Sequence, residues 1–254
     1  MEFFNETIKT QLNHKSIRKF KEEVIPSDVF NTLMEVARRT ATSTGIQASS
    51  IIRITDNELK KKIAEICKQE YVGTAAELLI FLVDNFRNHN IALEKGLEKP
   101  TGMYMNQFFS GYTDACIMAQ NVVVAAESLG IGTVYLGSIL NDIEKLCELL
   151  KLPKYTFPVV GLALGYPDQE PQLKPRMDMS LRVFENEYKV FENYLDEIKE
   201  YDEEMTTYYD LRNSNRRVDS FSNQIVKRLE KVHPTRKYVL KDIKKQGFDL
   251  SLDD

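Results

Sequence analysis

The sequence predicts an α/β core over residues 1–180, followed by a mainly helical extension over 181–254. Three observations point there. Apolar runs of strand length, "ELLIFLVD" (77–84), "GTVYLGS" (132–138) and "FPVVGLALGYP" (157–167), alternate with segments of helical period. One long stretch, "TDACIMAQNVVVAAESLG" (113–130), is apolar almost all round, as a central helix is. After residue 180 the chain turns acidic ("ENEYKVFENYLDEIKEYDEEM") and then basic ("LRNSNRR", 211–217).

The elements follow in order. Phe4, Ile8 and Leu12 recur every four residues and predict a short amphipathic helix. Ser27 opens a helix carrying Val29, Phe30, Leu33, Met34 and Ala37. "TATSTGIQASS" (40–50) is a loop of small polar residues, "IIRIT" (51–55) a strand, and 57–68 a helix opened by Asn57. The run 77–84 suits a strand buried on both faces. Residues 85–103 read as helical and then irregular. Gly130 ends the long helix in the left-handed region that glycine enters cheaply. Residues 132–138 form a strand, 141–150 a helix with Asn141 and Glu144 as a capping pair, and 157–167 a strand closed by Gly-Tyr-Pro. Two further helical stretches follow the basic cluster.

Composition narrows the function. A net charge of −4 disfavours general nucleic-acid binding, although local basic clusters can hold small anions. No run approaches a membrane span, and "MEFFNETIKT" lacks the pattern of a signal peptide. Cys67, Cys116 and Cys147 are far apart in apparent helices, which suits buried thiols in a reducing compartment, the cytoplasm. No Cys-x-x-Cys or His-x-x-x-His spacing announces a metal site.

Four segments carry candidate chemistry. In "HKSIR" an extended chain puts His14, Ser16 and Arg18 on one side and sends Ile17 to the core. The result is either a line of phosphate donors, to which Lys15 adds its backbone N–H, or a solvated basic turn. In "LKPRM" (173–177) Pro175 stiffens the chain, so Lys174 and Arg176 form either a preorganised anion grip or a surface loop. In "LRNSNRR" Arg212, Arg216 and Arg217 suit a mobile phosphate, including the 2′-phosphate of NADPH, or a solvated basic face. "GIGTVYLGS" is not a dinucleotide fingerprint, because its glycines lie between helix and strand in the wrong order. Gly137 there allows close approach of backbone to a flat ligand. No hydrolytic constellation is present, so a cofactor must carry the chemistry.

Taken together, "NHKSIRKF", "SSIIRITD", "AAESLGIGTVYLGS", "LLKLPKYTFPVVGLALGYP" and "LKPR", in that order over nearly the whole chain, resemble the oxygen-insensitive NADPH nitroreductases and NADPH–flavin oxidoreductases. The resemblance implies an α+β nitroreductase fold: a central, mainly antiparallel sheet flanked by helices, an FMN-binding core over 1–180, and a helical extension over 181–254 that contributes to the dimer and the NADPH site. It implies a homodimer and no nucleic-acid, membrane or metal partner. Helix 113–130 would form the dimer core, its other reading being burial within one monomer.

By the same resemblance, His14, Lys15, Ser16 and Arg18 match the N-terminal FMN segment, the first, third and fourth near the phosphate and ribityl chain. Thr42 and Gln69 fall at the isoalloxazine ring, and Tyr135, Leu136, Gly137 and Ser138 line it. Lys174 matches the cation beside flavin N1 and O2, the catalytic position, and Arg176 a phosphate contact. Arg212 and Arg217 match the NADPH site. Lys15 stands where many relatives have Arg, and "VDSF" (218–221) lacks a Trp common after the basic cluster. The implied activity is two-electron, ping-pong reduction of nitroaromatics, quinones or free flavins by NADPH. The alternatives are an FMN reductase feeding a partner and a non-catalytic flavin-binding module.

Overall fold

In the computed structural model residues 5–210 and 216–251 are described, with only the backbone at 209, 210, 216 and 217. The chain forms two compact units, Met1–Gln169 with Pro234–Asp254, and Glu170–His233.

The first unit is built on a four-stranded antiparallel sheet in the order β1-β2-β4-β3, with β1 Ser49–Arg53, β2 Glu77–Asp84, β3 Gly132–Leu136 and β4 Thr156–Gly165. Seven of the eight β2 residues are buried, the outcome expected for a central strand with both faces covered. Pro158 sits in β4 beside the register shift at Phe81 and Leu82, where a missing N–H disturbs the ladder least.

Helices α1 (Glu6–Leu12), α2 (Ser27–Arg38), α3 (Asn57–Cys67), α4 (Tyr71–Thr74), α5 (Phe86–Glu94), α6 (Met105–Ser128) and α7 (Ile143–Leu149) complete the first pass of the chain. Two apolar clusters result. One packs α2 and α6 on the sheet through Phe30, Leu33, Phe108, Ala119, Val122 and Phe157. The other packs α3 and the turn after β3 through Ile63, Ile66, Leu78, Leu136 and Ile139.

Several starts differ from the sequence reading for definable reasons. Helix α6 begins at Met105, eight residues before 113, because Phe108 supplies a buried anchor. Gly111 lets the helix approach the residue before β1: a Cβ there would lie 2.6 Å from the Ala48 carbonyl. Pro26 occupies the cap of α2, and Ser27 is its first residue. The caps of α3 and α7 are Asp56 and Asp142, whose carboxylates accept from Leu59 N and Lys145 N, rather than Asn57 and Asn141. Phe4 lies outside the described residues; in α1, Leu12 is exposed.

The C-terminal segment 234–251 belongs to the first unit. Helix α11, Val239–Lys245, ends so that Gln246 O accepts from Tyr155 N at 2.7 Å, and Phe248 is buried edge-on to Phe108. The second unit holds helices α8 (Tyr194–Glu197), α9 (Lys199–Thr207) and α10 (Phe221–Leu229) and the strand pair β5 (Tyr209–Asp210) and β6 (Arg216–Arg217). Ser222 N and Oγ both donate to Asp202, which ties α10 to α9. No described helix is long and apolar enough to cross a membrane.

Candidate functional site

Residues 14–18 form the outer border of the sheet beside β3. Ser16 bridges Thr133 in parallel, and Ile17 N donates to Thr133 O at 2.8 Å. Ile17 turns inward, as alternation requires, and lies so close to Gly132 that a Cβ there would meet its side chain at 2.7 Å. The His14 ring is held from the long helix: Nδ1 lies 2.7 Å from Glu127 Oε1, which also accepts from Thr133 Oγ1 at 2.7 Å. Further along, Lys21 N donates to Tyr166 O and Lys19 pairs with Asp168.

The 43–48 part of the loop is fastened at both ends by one buried carboxylate. Asp114 Oδ1 accepts from Ser43 N at 2.7 Å and Oδ2 from Ala48 N at 3.1 Å. Asn121 Nδ2 donates to Thr40 Oγ1, and from α5 Arg87 and Asn88 donate to the Gln47 and Ile46 carbonyls. These bonds hold an unfavourable backbone: Thr44 and Gln47 have φ of 52° and 54°, the left-handed region that costs non-glycine residues about 1–2 kcal/mol each. Thr42 enters this loop half-buried, in extended conformation.

At the far end of β3 the chain makes a tight turn over Gly137–Asn141. Gly137 is exposed, and a Cβ there would meet nothing within 4 Å, so a flat group can lie against the backbone. Ser138 Oγ donates to Gln69 Oε1 at 2.8 Å. Arg236 fastens the turn, donating to Gly137 O at 2.6 Å and Asn141 Oδ1 at 2.8 Å, while Asn141 Nδ2 donates to Ile66 O at 3.1 Å. Burial pushes the Cys67 thiol up, opposed by its hydrogen bond to Ser138 and the Arg236 charge. Tyr135 Oη donates to Gln120 Oε1 at 3.1 Å, and burial pushes its phenol up as well. Leu136 is buried in the second cluster, so only its backbone can reach a ligand.

The structure therefore brings His14, Lys15, Ser16 and Arg18 beside the strand that leads to Tyr135–Ser138, and joins Ser138 to Gln69. In the second unit Lys174 is half-buried, and Arg176 Nη1 folds back onto the carbonyls of Lys174 (3.0 Å) and Pro175 (3.1 Å). Arg212 lies outside the described residues; of Arg217 the backbone in β6 is described. Sequence reasoning missed Glu127, Asp114 and Arg236. The first two had a signal: carboxylates on a helix otherwise apolar almost all round need buried donors. Arg236 had none, since its partners are backbone and an asparagine nearly a hundred positions away.

Comparison with known proteins adds the following. The family model described as "Nitroreductase family" matches residues 12–166, and "Nitroreductase family, C-terminal domain" matches 174–251. The chain is 40% identical over 243 residues to an oxygen-insensitive NADPH nitroreductase of Salmonella typhimurium, covering 95% of this chain and 98% of that protein. It is 35% identical over 245 residues to an NADPH-flavin oxidoreductase of Vibrio harveyi, with 96% and 98% covered. A solved structure of the NADPH:FMN oxidoreductase from Vibrio harveyi, complexed with NAD+, superposes with a TM-score of 0.86 at 33% identity, covering 97% of this chain and all of that one.

Proposed function

This chain belongs to the nitroreductase family, and from that premise we propose that it binds FMN and uses NADPH to reduce small acceptors such as nitroaromatics, quinones or free flavins by two-electron ping-pong transfer. The observation that carries the reading is the course of β3 in the first unit, which borders Ser16 at Thr133 and leads into the turn where Ser138 donates to Gln69. Their chemistry fits the cofactor. An imidazole, a hydroxyl and a guanidinium suit a phosphate, and the open backbone at Gly137 suits a ring. When bound, FMN supplies the acceptance of hydride and its delivery to a second substrate.

The chain's own residues bind, orient and tune. His14, Ser16 and Arg18 hold the phosphate end, with the Lys15 backbone N–H beside them. Gln69, its oxygen occupied by Ser138, offers amide N–H groups to the ring edge, and Thr42 borders the ring from a loop that Asp114 keeps in place. Lys174 places positive charge where the ring gains electrons. Such a preorganised donor is worth about 3 kcal/mol. Arg176 adds a phosphate contact, and Arg212 and Arg217 recognise NADPH.

Two copies pair through α6, whose Phe109, Tyr112 and Ile117 are exposed apolar side chains on a helix otherwise built into the core. Residues 181–254 contribute to that dimer and to the NADPH site. The enzyme works in the cytoplasm, where Cys67, Cys116 and Cys147 remain free thiols. The test is an absorption spectrum of the purified chain before and after NADPH under nitrogen. A flavin spectrum that NADPH bleaches, and a nitroaromatic or quinone restores, is the expected result. A colourless protein that takes up no FMN, or a yellow one that NADPH leaves unchanged, overturns the proposal.

A further inference from the structure

We propose that Glu127 is a positioning residue that aims the His14 imidazole and thereby makes the site select phosphorylated flavin over riboflavin. The inference rests on the reading of residues 14–18 as the phosphate segment. A carboxylate has only acceptors to offer, so at 2.7 Å from Glu127 Oε1 the His14 Nδ1 atom must carry hydrogen and donate. That settles the role of one ring nitrogen and leaves Nε2 as the atom through which the ring meets a ligand.

Glu127 is itself well fixed. Its side chain is 13% exposed against 32% for His14, and the same Oε1 takes the hydroxyl of buried Thr133. Thr133 in turn receives Ile17 N through its carbonyl. One carboxylate on α6 thus joins the helix, β3 and the 14–17 segment.

The chemistry follows from donor counting. A neutral ring with hydrogen on Nδ1 presents a bare Nε2, which repels an unprotonated phosphate oxygen. A ring protonated at both nitrogens donates from Nε2 to phosphate and from Nδ1 to Glu127, and the carboxylate balances its charge. Carboxylates behind ligand-binding histidines serve this purpose in metal sites, where they set both orientation and tautomer. Riboflavin, having no phosphate, makes no use of the arrangement, so selectivity between the two flavins reads the effect directly.

The test titrates FMN and riboflavin into the flavin-free full chain by fluorescence, for the unaltered protein, Glu127→Gln, His14→Ala and the double variant. We expect Glu127→Gln to weaken FMN about tenfold, the order of one charge-assisted hydrogen bond, with riboflavin changed less than about twofold. The double variant is expected to bind FMN no more weakly than His14→Ala. Equal weakening of both flavins, or an unchanged FMN-to-riboflavin ratio in Glu127→Gln while His14→Ala collapses it, overturns the role of Glu127 and leaves the phosphate segment standing. An unchanged ratio in His14→Ala instead removes the phosphate segment itself. Should Glu127→Gln fail to fold, nitrogen-15 NMR of the unaltered FMN-loaded chain decides: hydrogen on both His14 ring nitrogens supports the inference, and a bare Nδ1 or a bare Nε2 overturns it.

Discussion

Ser138 Oγ donates to Gln69 Oε1, joining residues 69 positions apart at 2.8 Å. The bond settles which end of the Gln69 amide is available. It also makes the two residues one unit, so their substitutions should not add. Ser138→Ala and Gln69→Ala are each expected to weaken FMN about fivefold, the value of one net hydrogen bond, and the double variant little further. Fluorescence titration measures this. A double variant weakened by the product of the two single effects would show that they act apart.

Asp114 holds both ends of the 43–48 segment with one carboxylate. In Asp114→Asn only one oxygen can accept, and the amide NH2 faces a backbone N–H. The expected loss is about 2–3 kcal/mol of stability, read as a lower urea midpoint. Hydrogen exchange should accelerate first at Ser43 and Ala48. Uniform acceleration over the whole first unit would assign Asp114 to general packing.

Lys60 is buried, donating to Ala75 O at 3.0 Å and Ala76 O at 3.1 Å. Burial lowers its pKa below the ordinary 10.5, with Glu77 opposing and Arg53 reinforcing. Between the depressed folded value and 10.5 the unfolded chain binds more protons here than the folded chain does. Stability contributed by this residue therefore rises with pH through that window, and the penalty for its charge is fullest below it. Urea midpoints of the natural chain and Lys60→Met, taken from about pH 8 to about pH 10.5, should diverge in favour of the natural chain as pH increases. Parallel curves would refute the assignment.

Lys174→Ala is expected to lower the flavin content of the purified chain and to slow its reduction by NADPH roughly a hundredfold, the effect of losing one well-placed electrostatic donor. Stopped-flow bleaching measures the rate. Equal rates and equal flavin content would remove Lys174 from the site.

Much of this was legible because local rules govern it. Strand β2 was readable to the residue, since an eight-residue apolar run admits little else at that length. Ile17 faces the core because strand alternation leaves it no other choice. The start of α6 was missed because what fixes its first turns, Phe108 in the core and Gly111 against Ala48, is a tertiary property. The caps at Asp56 and Asp142 went to the better-placed of two neighbouring polar residues, a choice decided by backbone angles. Arg236 acts across a long sequence separation, where spacing carries no signal, while Glu127 was marked only as a carboxylate on an apolar helix, with nothing local to name His14 as its partner.

The parallel bridge between Ser16 and Thr133 spans 117 residues, by subtraction of their numbers. Closing so long a loop is slow compared with forming local helices. A ribosome that has translated only as far as α6 carries a His14–Arg18 segment with no strand to dock on. Cofactor loading should therefore wait until β3 has been synthesised, and stalled nascent chains ending before residue 132 are expected to retain no flavin.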